Sequence, residues 1–303
     1  MPKRKEYDLH RSALLFVFLL VISSSTKIAL AQPSASYYSS IDTSSPEAAR
    51  KTLHELIDDH KKIPYTSKQL DTWDVIVIAD EDPADPTRVR TIYKGASYPK
   101  VAGGNKNFNR EHAWPKSYGF PKDGSGNYPY TDLHHLFAAD RSYNSSRSNL
   151  PYANCNSSCT KKSSTENPNP SAASALAQDD SNWRRGKGAS GIWEVRQERR
   201  GDIARAMFYM AIRYEGGFHN STGAVEPDLE LTDNLRLISA SNVGGNTKKA
   251  FMGRLSNLIE WHIQDPVDNT EIRRNNIIEK YQGNRNPFVD NPGFVEVVFQ
   301  TGK

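Results

Sequence analysis

Asn109-Arg110-Glu111-His112-Ala113-Trp114-Pro115, then Thr131-Asp132-Leu133-His134-His135-Leu136, then Asn144-Ser145-Ser146-Arg147-Ser148-Asn149, is the stretch on which the reading of this chain turns. Three of the eight histidines fall between positions 112 and 135. Glu111 and His112 are adjacent, and neighbours on a strand point to opposite faces. They share one locus only at a strand end or bulge, where local twist brings both round. A carboxylate oxygen suits a hard cation, and a neutral imidazole beside it suits a general base, so the pair divides into ligand and base. His134 and His135 are a second adjacent pair, expected on the partner strand with one ring facing inward. Asn144 and Arg147 stand three apart on an expected following helix. The Asn144 carbonyl is a second hard oxygen donor. Arg147 is expected to brace a carboxylate such as Asp132, with a forked phosphate contact as the alternative.

The residue types also bear on the metal. The H-E-x-x-H pattern of zinc proteases is absent. A three-histidine zinc site from His112, His134 and His135 stays open, but the Glu and Asn oxygens favour a water-completed Mg2+ site. Such a site leaves places for a phosphate oxygen and suits phosphodiester hydrolysis. Against this stands the bland alternative for each residue alone: a buried structural histidine, and Trp114-Pro115 as packing.

The surrounding chain sets limits. Its 303 residues suit one large domain or two small ones, and 37% hydrophobic with 24% charged residues is neither a disordered chain nor a polytopic membrane protein. The net charge of +4 owes much to the N-terminus. Residues 1–31 hold five cationic and two acidic side chains, and without them 34 positive stand against 33 negative, or +1. Composition therefore does not by itself indicate nucleic-acid binding. Residues 1–31 read as a signal peptide: Lys3, Arg4, Lys5 and Arg11, an apolar run from Ala13 to Ile22, then Ala29-Leu30-Ala31. The apolar run is too short to span a bilayer. The expected product is secreted, extracellular or periplasmic, and holds no membrane segment. Cys155 and Cys159, four apart in a polar stretch, are expected to close a small disulfide loop.

Residues 32–44 read as a loose lead-in. Ser45-Pro46 then starts a helix carrying Ala49, Leu53, Leu56, Ile57 and His60. The β-branched run Trp73 to Ala79 favours a strand, and Val89 to Tyr93 another. Residues 153–190, rich in Ser, Asn and Pro, read as a long surface excursion. Asp202 is expected to cap a helix with Ile203, Met207, Met210, Ala211 and Tyr214 on one side. Further helices are expected over Thr247 to Ile263, over Asn269 to Tyr281 with Gly283 closing it, and from Pro292. The pattern predicts a single α+β domain, 45–303, mostly helical.

The ordered phrases Asn109-Arg110-Glu111-His112-x-Trp114-Pro115, Asp132-Leu133-His134-His135-Leu136 and Asn144-x-x-Arg147-x-Asn149 resemble the bacterial endonuclease I family. So do Gly201 to Met210 and Gly283 to Phe288, and the likeness covers roughly Ser45 to Phe299. The resemblance implies a ββα-metal (His-Me finger) core. It implies His112 as general base, Glu111 and Asn144 as ligands of one Mg2+ (Mn2+ or Ca2+ as substitutes), and His134 and His135 as orienting residues. Asp132 would hold a neighbouring His or Arg, and Arg147 is a further candidate for phosphate contact. The implied activity is nonspecific endonucleolytic cleavage of DNA, in this family often of RNA as well, leaving 5′-phosphate ends. Two departures are notable: only one disulfide can form, and the 153–190 segment is long.

Binding nucleic acid with a near-neutral chain requires local charge. Arg184, Arg185 and Lys187 form one basic run, and Arg196, Arg199, Arg200 and Arg205 another, with Trp183 and Trp193 interleaved. They are expected either to line a groove that tracks a phosphate backbone or to be solvated faces paired with Glu194, Glu198 and Asp202. Two competing functional readings remain: a noncatalytic nucleic-acid-binding module of the same fold, and a phosphodiesterase for small nucleotides.

Overall fold

Ser45 caps the first helix as its chemistry predicts. Its hydroxyl accepts from the Ala48 amide at 3.1 Å, and Pro46 occupies the first helical position. The computed structural model describes residues 33–34, 36–101, 103, 105–165 and 180–299. The signal-peptide reading of 1–31 lies outside these residues. In chain order the elements are α1 (Pro46–Ile57), α2 (Thr72–Ala79), β1 (Glu81–Asp82), β2 (Asp85–Arg90), β3 (Ser97–Pro99), β4 (Phe108–His112), β5 (Leu136–Asp140) and α3 (Arg141–Arg147). They continue with β6 (Thr160–Ser163), β7 (Ser181–Arg185), β8 (Ile192–Glu194), α4 (Arg200–Arg213), β9 (Asp228–Leu231), α5 (Leu235–Ala240), β10 (Lys249–Met252), α6 (Leu255–Gln264), α7 (Asn269–Gln282), α8 (Pro287–Asp290) and α9 (Phe294–Val298). This is an α+β fold. Among the described residues no helix is long and apolar enough to cross a membrane.

Among the described residues, four small sheets stand in place of a large one: β1-β2-β3, β4-β5, β6-β7-β8 and β9-β10. Sheets this small are not independently stable, so helices must cover them. Helix α4 fills this role at the centre. Every residue from Gly201 to Arg213 is buried, and α4 packs against α6, α1 and α8. Its apolar side chains share one core cluster with Trp114, Tyr152, Trp193, Trp261 and Phe288. A second, smaller core under β4 and β5 is built from Trp73, Val75, Ile76, Phe108, Leu136, Ala138 and Ile278.

Several sequence expectations yield to tertiary context. Trp73 to Ala79 is helix α2, not a strand. Asp71 accepts from the Trp73 amide at 2.7 Å, and Asp74 reaches back to the Asp71 amide at 2.8 Å. This reciprocal cap outweighs the β preference of Val75-Ile76-Val77-Ile78. The strand expected over Val89 to Tyr93 ends at Arg90. Asp202 sits inside the first turn of α4 rather than at its cap, because Asp265 beyond the end of α6 accepts from the Gly201 amide at 2.8 Å. Thr247 to Ile263 is not one helix: Lys249 to Met252 pairs in parallel with Asp228 to Leu231 as β10, and α6 follows. The 153–190 segment contributes β6 and β7 to a sheet with β8, and Ser181 and Asn182 are buried. The expected helix α7 is observed, closed by Gly283 at φ 91°, a left-handed position that glycine takes without Cβ strain. The Cys155–Cys159 disulfide is formed, with Cα atoms 6.0 Å apart. Within the lead-in, Tyr38 donates to Asp290 at 2.6 Å, fastening this segment beside α8.

Candidate active site

Strands β4 and β5 pair antiparallel, with Glu111 opposite Phe137 and His112 opposite Leu136. Strand β5 runs straight into α3, because Asp140 ends the strand and caps the helix, accepting from the Ser142 amide at 3.0 Å. Helix α3 therefore lies along the otherwise open edge of β4. Asn144 Nδ2 donates to the Arg110 carbonyl at 3.1 Å, and Arg147 Nη1 donates to the His112 carbonyl at 3.1 Å. An i, i+3 pair on a helix thus satisfies an i, i+2 pair of edge carbonyls on a strand. This accounts for the Asn144-x-x-Arg147 spacing on backbone grounds alone.

Glu111 is buried at the end of β4. Tyr93 donates to its Oε1 at 2.8 Å, and Arg147 Nη1 stands 3.0 Å from the same oxygen. Oε2 has no protein partner among the described residues. Burial pushes the Glu111 carboxyl up to about 7, against the pull of the Arg147 guanidinium and the Tyr93 hydroxyl. Arg147 thus does brace a carboxylate, but Glu111 rather than Asp132. It is fully buried, stacks over the Tyr152 ring and also donates to the Ala113 carbonyl at 2.6 Å.

Asn144 has both amide hydrogens committed, one to Arg110 and the other to Asn109 Oδ1 at 2.8 Å. A backbone carbonyl only accepts, so the orientation of this amide is settled and Oδ1 is left without a protein donor among the described residues. The His112 ring is fixed in the same way. Its Nε2 lies 2.9 Å from the Tyr130 carbonyl, so Nε2 carries the proton and Nδ1 keeps its lone pair. Burial and the neighbouring His135 ring hold the His112 pKa well below its ordinary value, so the ring is neutral at pH 7. Tyr65 stacks on the ring at 5.8 Å and Tyr130 meets it edge-on at 5.1 Å.

Glu111, His112 and Asn144 line one cleft of about 790 Å³ together with Asn109, Arg110, Lys116 and Asn149. The donor set for a hard cation is one carboxylate oxygen and one amide oxygen. This fits a metal that completes its shell with water and phosphate, and fits poorly a zinc centre needing several nitrogen or sulfur ligands. Among the described residues no group of three His, Cys, Asp or Glu side chains is assembled as a metal cage.

The other expected residues lie behind this surface. His134 and His135 precede β5 rather than lying on it, in a turn that Asp132 holds by accepting from the His134 amide at 2.9 Å. His134 faces the Asn284 carbonyl, and His135 the Pro129 carbonyl at 2.7 Å. Asp132 holds neither ring directly. It also accepts from Tyr209, Tyr214 and Gln282, each at 2.9 Å, and so ties α4 and α7 to the turn. The second basic run does not line a groove. Arg196, Arg199 and Arg205 are buried, with carboxylate partners Asp180 and Glu198, Asp202, and Glu271, while Arg200 pairs with Glu194. Trp193 is buried as well. In the first run, Arg184 donates to the Ser146 carbonyl at 2.7 Å and steadies α3. Sequence reading missed Tyr65 and Tyr130 beside His112; only the folded chain brings them there.

A match to the endonuclease I family model spans residues 45–293. The chain belongs to the endonuclease I family. Among its relatives, the extracellular ribonuclease of Bacillus amyloliquefaciens is 38% identical over 280 residues, covering 90% of this chain and 82% of that one. The extracellular ribonuclease of Bacillus subtilis (strain 168) is 35% identical over 283 residues, covering 90% and 83%.

Proposed function

We propose that this endonuclease I family member is a secreted, metal-dependent endonuclease that hydrolyses phosphodiester bonds of RNA and DNA and leaves 5′-phosphate ends. The observation that carries the reading is the set of three unspent lone pairs in one cleft: Glu111 Oε2, Asn144 Oδ1 and His112 Nδ1. In this reading β4, β5 and α3 form a ββα-metal core, and Glu111 with Asn144 would hold one divalent cation, Mg2+. Bound there, it would supply electrostatic stabilisation of the charge that gathers on the phosphate and the leaving oxygen. His112 Nδ1 takes the proton from the attacking water, and Tyr130 holds the ring in the tautomer that can accept it. Water's oxygen bonds to phosphorus as the bond to the 3′-oxygen breaks, so the phosphate stays on the 5′ side. Arg147 and Tyr93 orient Glu111 from behind; neither faces a diester.

The names of both relatives support RNA as a substrate and an extracellular destination. Residues 1–31 would be removed as the signal peptide, leaving the lead-in 32–44 and one nuclease domain, 45–303. The test is a divalent-metal panel on supercoiled DNA and on RNA, with His112→Ala alongside. Cleavage that needs the metal, stops with EDTA and is lost in His112→Ala is expected. Tight binding without cleavage in every metal would instead assign the chain a noncatalytic role.

A further inference from the structure

We propose that Arg110 binds the backbone phosphate next to the scissile one, as a prestacked fork that aligns the strand across His112. The inference rests on the nuclease reading above. Alternation along β4 sets Arg110 and His112 on one face, while Asn109 and Glu111 turn toward α3, where Asn144 and Arg147 meet them. Tyr65 serves both residues of the first face. The Arg110 guanidinium lies 3.3 Å from the Tyr65 ring centroid and 4.8 Å from that of Trp73, and the same Tyr65 ring stacks on His112.

One nitrogen of the fork is anchored. Nη1 donates to the Tyr65 carbonyl and to Thr72 Oγ1 at 2.7 Å. Nε and Nη2 have no protein acceptor among the described residues, and Arg110 has no carboxylate partner there. The buried arginines differ in this respect: Arg147, Arg196, Arg199, Arg205, Arg213, Arg274 and Arg285 each pair with an acid. The cleft therefore presents a half-buried guanidinium with no carboxylate in direct contact and two donors in the geometry that matches two phosphate oxygens. The aromatic stack has already removed most of its rotamer freedom, so little remains to be lost on binding. Two residues along a strand are roughly 6.6 Å. That offset puts Arg110 beyond the phosphorus His112 serves and toward its neighbour on an extended strand.

The experiment uses the full mature chain with Arg110→Met and Arg110→Lys. Binding of a single-stranded 12-mer is measured in EDTA, where no cleavage occurs, over a range of salt. Arg110→Met should weaken binding roughly tenfold or more and flatten the log–log salt slope by about 0.7. Arg110→Lys should keep the slope and lose part of the affinity. Steady-state cleavage is then compared on the 12-mer and on bis(p-nitrophenyl) phosphate, which holds one phosphorus. The loss in kcat/KM on the 12-mer, carried by KM, should exceed that on the small diester by roughly tenfold. Equal losses on both substrates, or an unchanged salt slope, would make Arg110 a prop for Tyr65 and overturn the proposal. A parent protein that cleaves neither substrate in any metal would sink the nuclease reading instead, and the salt slope in EDTA would still judge Arg110.

Discussion

Asp132→Asn isolates what the buried centre of the Asp132-Leu133-His134-His135 phrase contributes. The carboxylate accepts four hydrogen bonds: Oδ1 from the His134 amide and Gln282, Oδ2 from Tyr209 and Tyr214. An asparagine fits the same space but accepts through one oxygen only. With its carbonyl toward His134 and Gln282, its amide hydrogens face both tyrosine oxygens, and two buried hydroxyl protons lose their acceptor. Asn284 already donates to Tyr209, so that hydroxyl finds no new acceptor there. Each orphaned donor costs about 1–3 kcal/mol, so the variant should be less stable by about 4 kcal/mol. For a domain of this size that lowers Tm by roughly 8–16 °C. Guanidinium denaturation gives the first number and calorimetry the second. Activity assayed well below the lowered Tm should stay within a few-fold of the parent, because no Asp132 oxygen reaches the cleft. A variant with parental stability and a hundredfold loss of kcat would refute this and make Asp132 part of the chemistry.

His112→Ala should lower kcat by roughly 10²–10⁴ in single-turnover assays while the far-UV spectrum is retained; parental rates would remove the imidazole as base. Arg147→Met leaves Glu111 buried beside an apolar chain and strips the His112 and Ala113 carbonyls of their donor. It should cost about 3–5 kcal/mol in denaturant titrations, and a loss under 1 kcal/mol would mean that solvent already reaches this pair. His134 and His135 are buried and held neutral, their pKa values pushed down to about 4 by burial. Unfolded, each takes a proton near 6.5, so each ring's contribution to stability is present above that pH and is lost as pH falls toward 4. It amounts to about 2 kcal/mol per ring by pH 5. Buried carboxyls such as Asp265, raised to about 6, act with the opposite sign. The direct check is therefore the imidazole resonances by NMR, and a midpoint above 6 for either ring would contradict its burial.

How far the chain is legible depends on whether the signal is local. Ser45-Pro46 and Gly283 mark helix ends because cap chemistry involves residues within one turn. The spacing of Glu111-His112, Asp132 to His135 and Asn144 to Arg147 pointed to one site because strand, turn and helix follow each other in the chain. Trp73 to Ala79 misled because a β-branched run is ambiguous until the flanking Asp71 and Asp74 are weighed. Lys249 to Met252 misled because its partner strand lies far back in the chain. The arginines from 196 to 205 left a groove and acid-paired faces both open; the local partners Glu194, Glu198 and Asp202 were legible, whereas Asp180 and Glu271 lie further off in the chain and only the fold brings them in.

The sequence by itself determined the chemistry available: which side chains can donate an oxygen or take a proton, and the order strand, strand, helix that gathers them. Only the tertiary structure decided which atoms stay unspent. Tyr93 and Arg147 take one oxygen of Glu111, Asn109 and the Arg110 carbonyl take the amide hydrogens of Asn144, and Tyr130 takes the His112 proton. The physical reason is that a lone pair becomes available for reaction only once every competing partner has been placed. Those partners come from segments the chain separates and the fold unites.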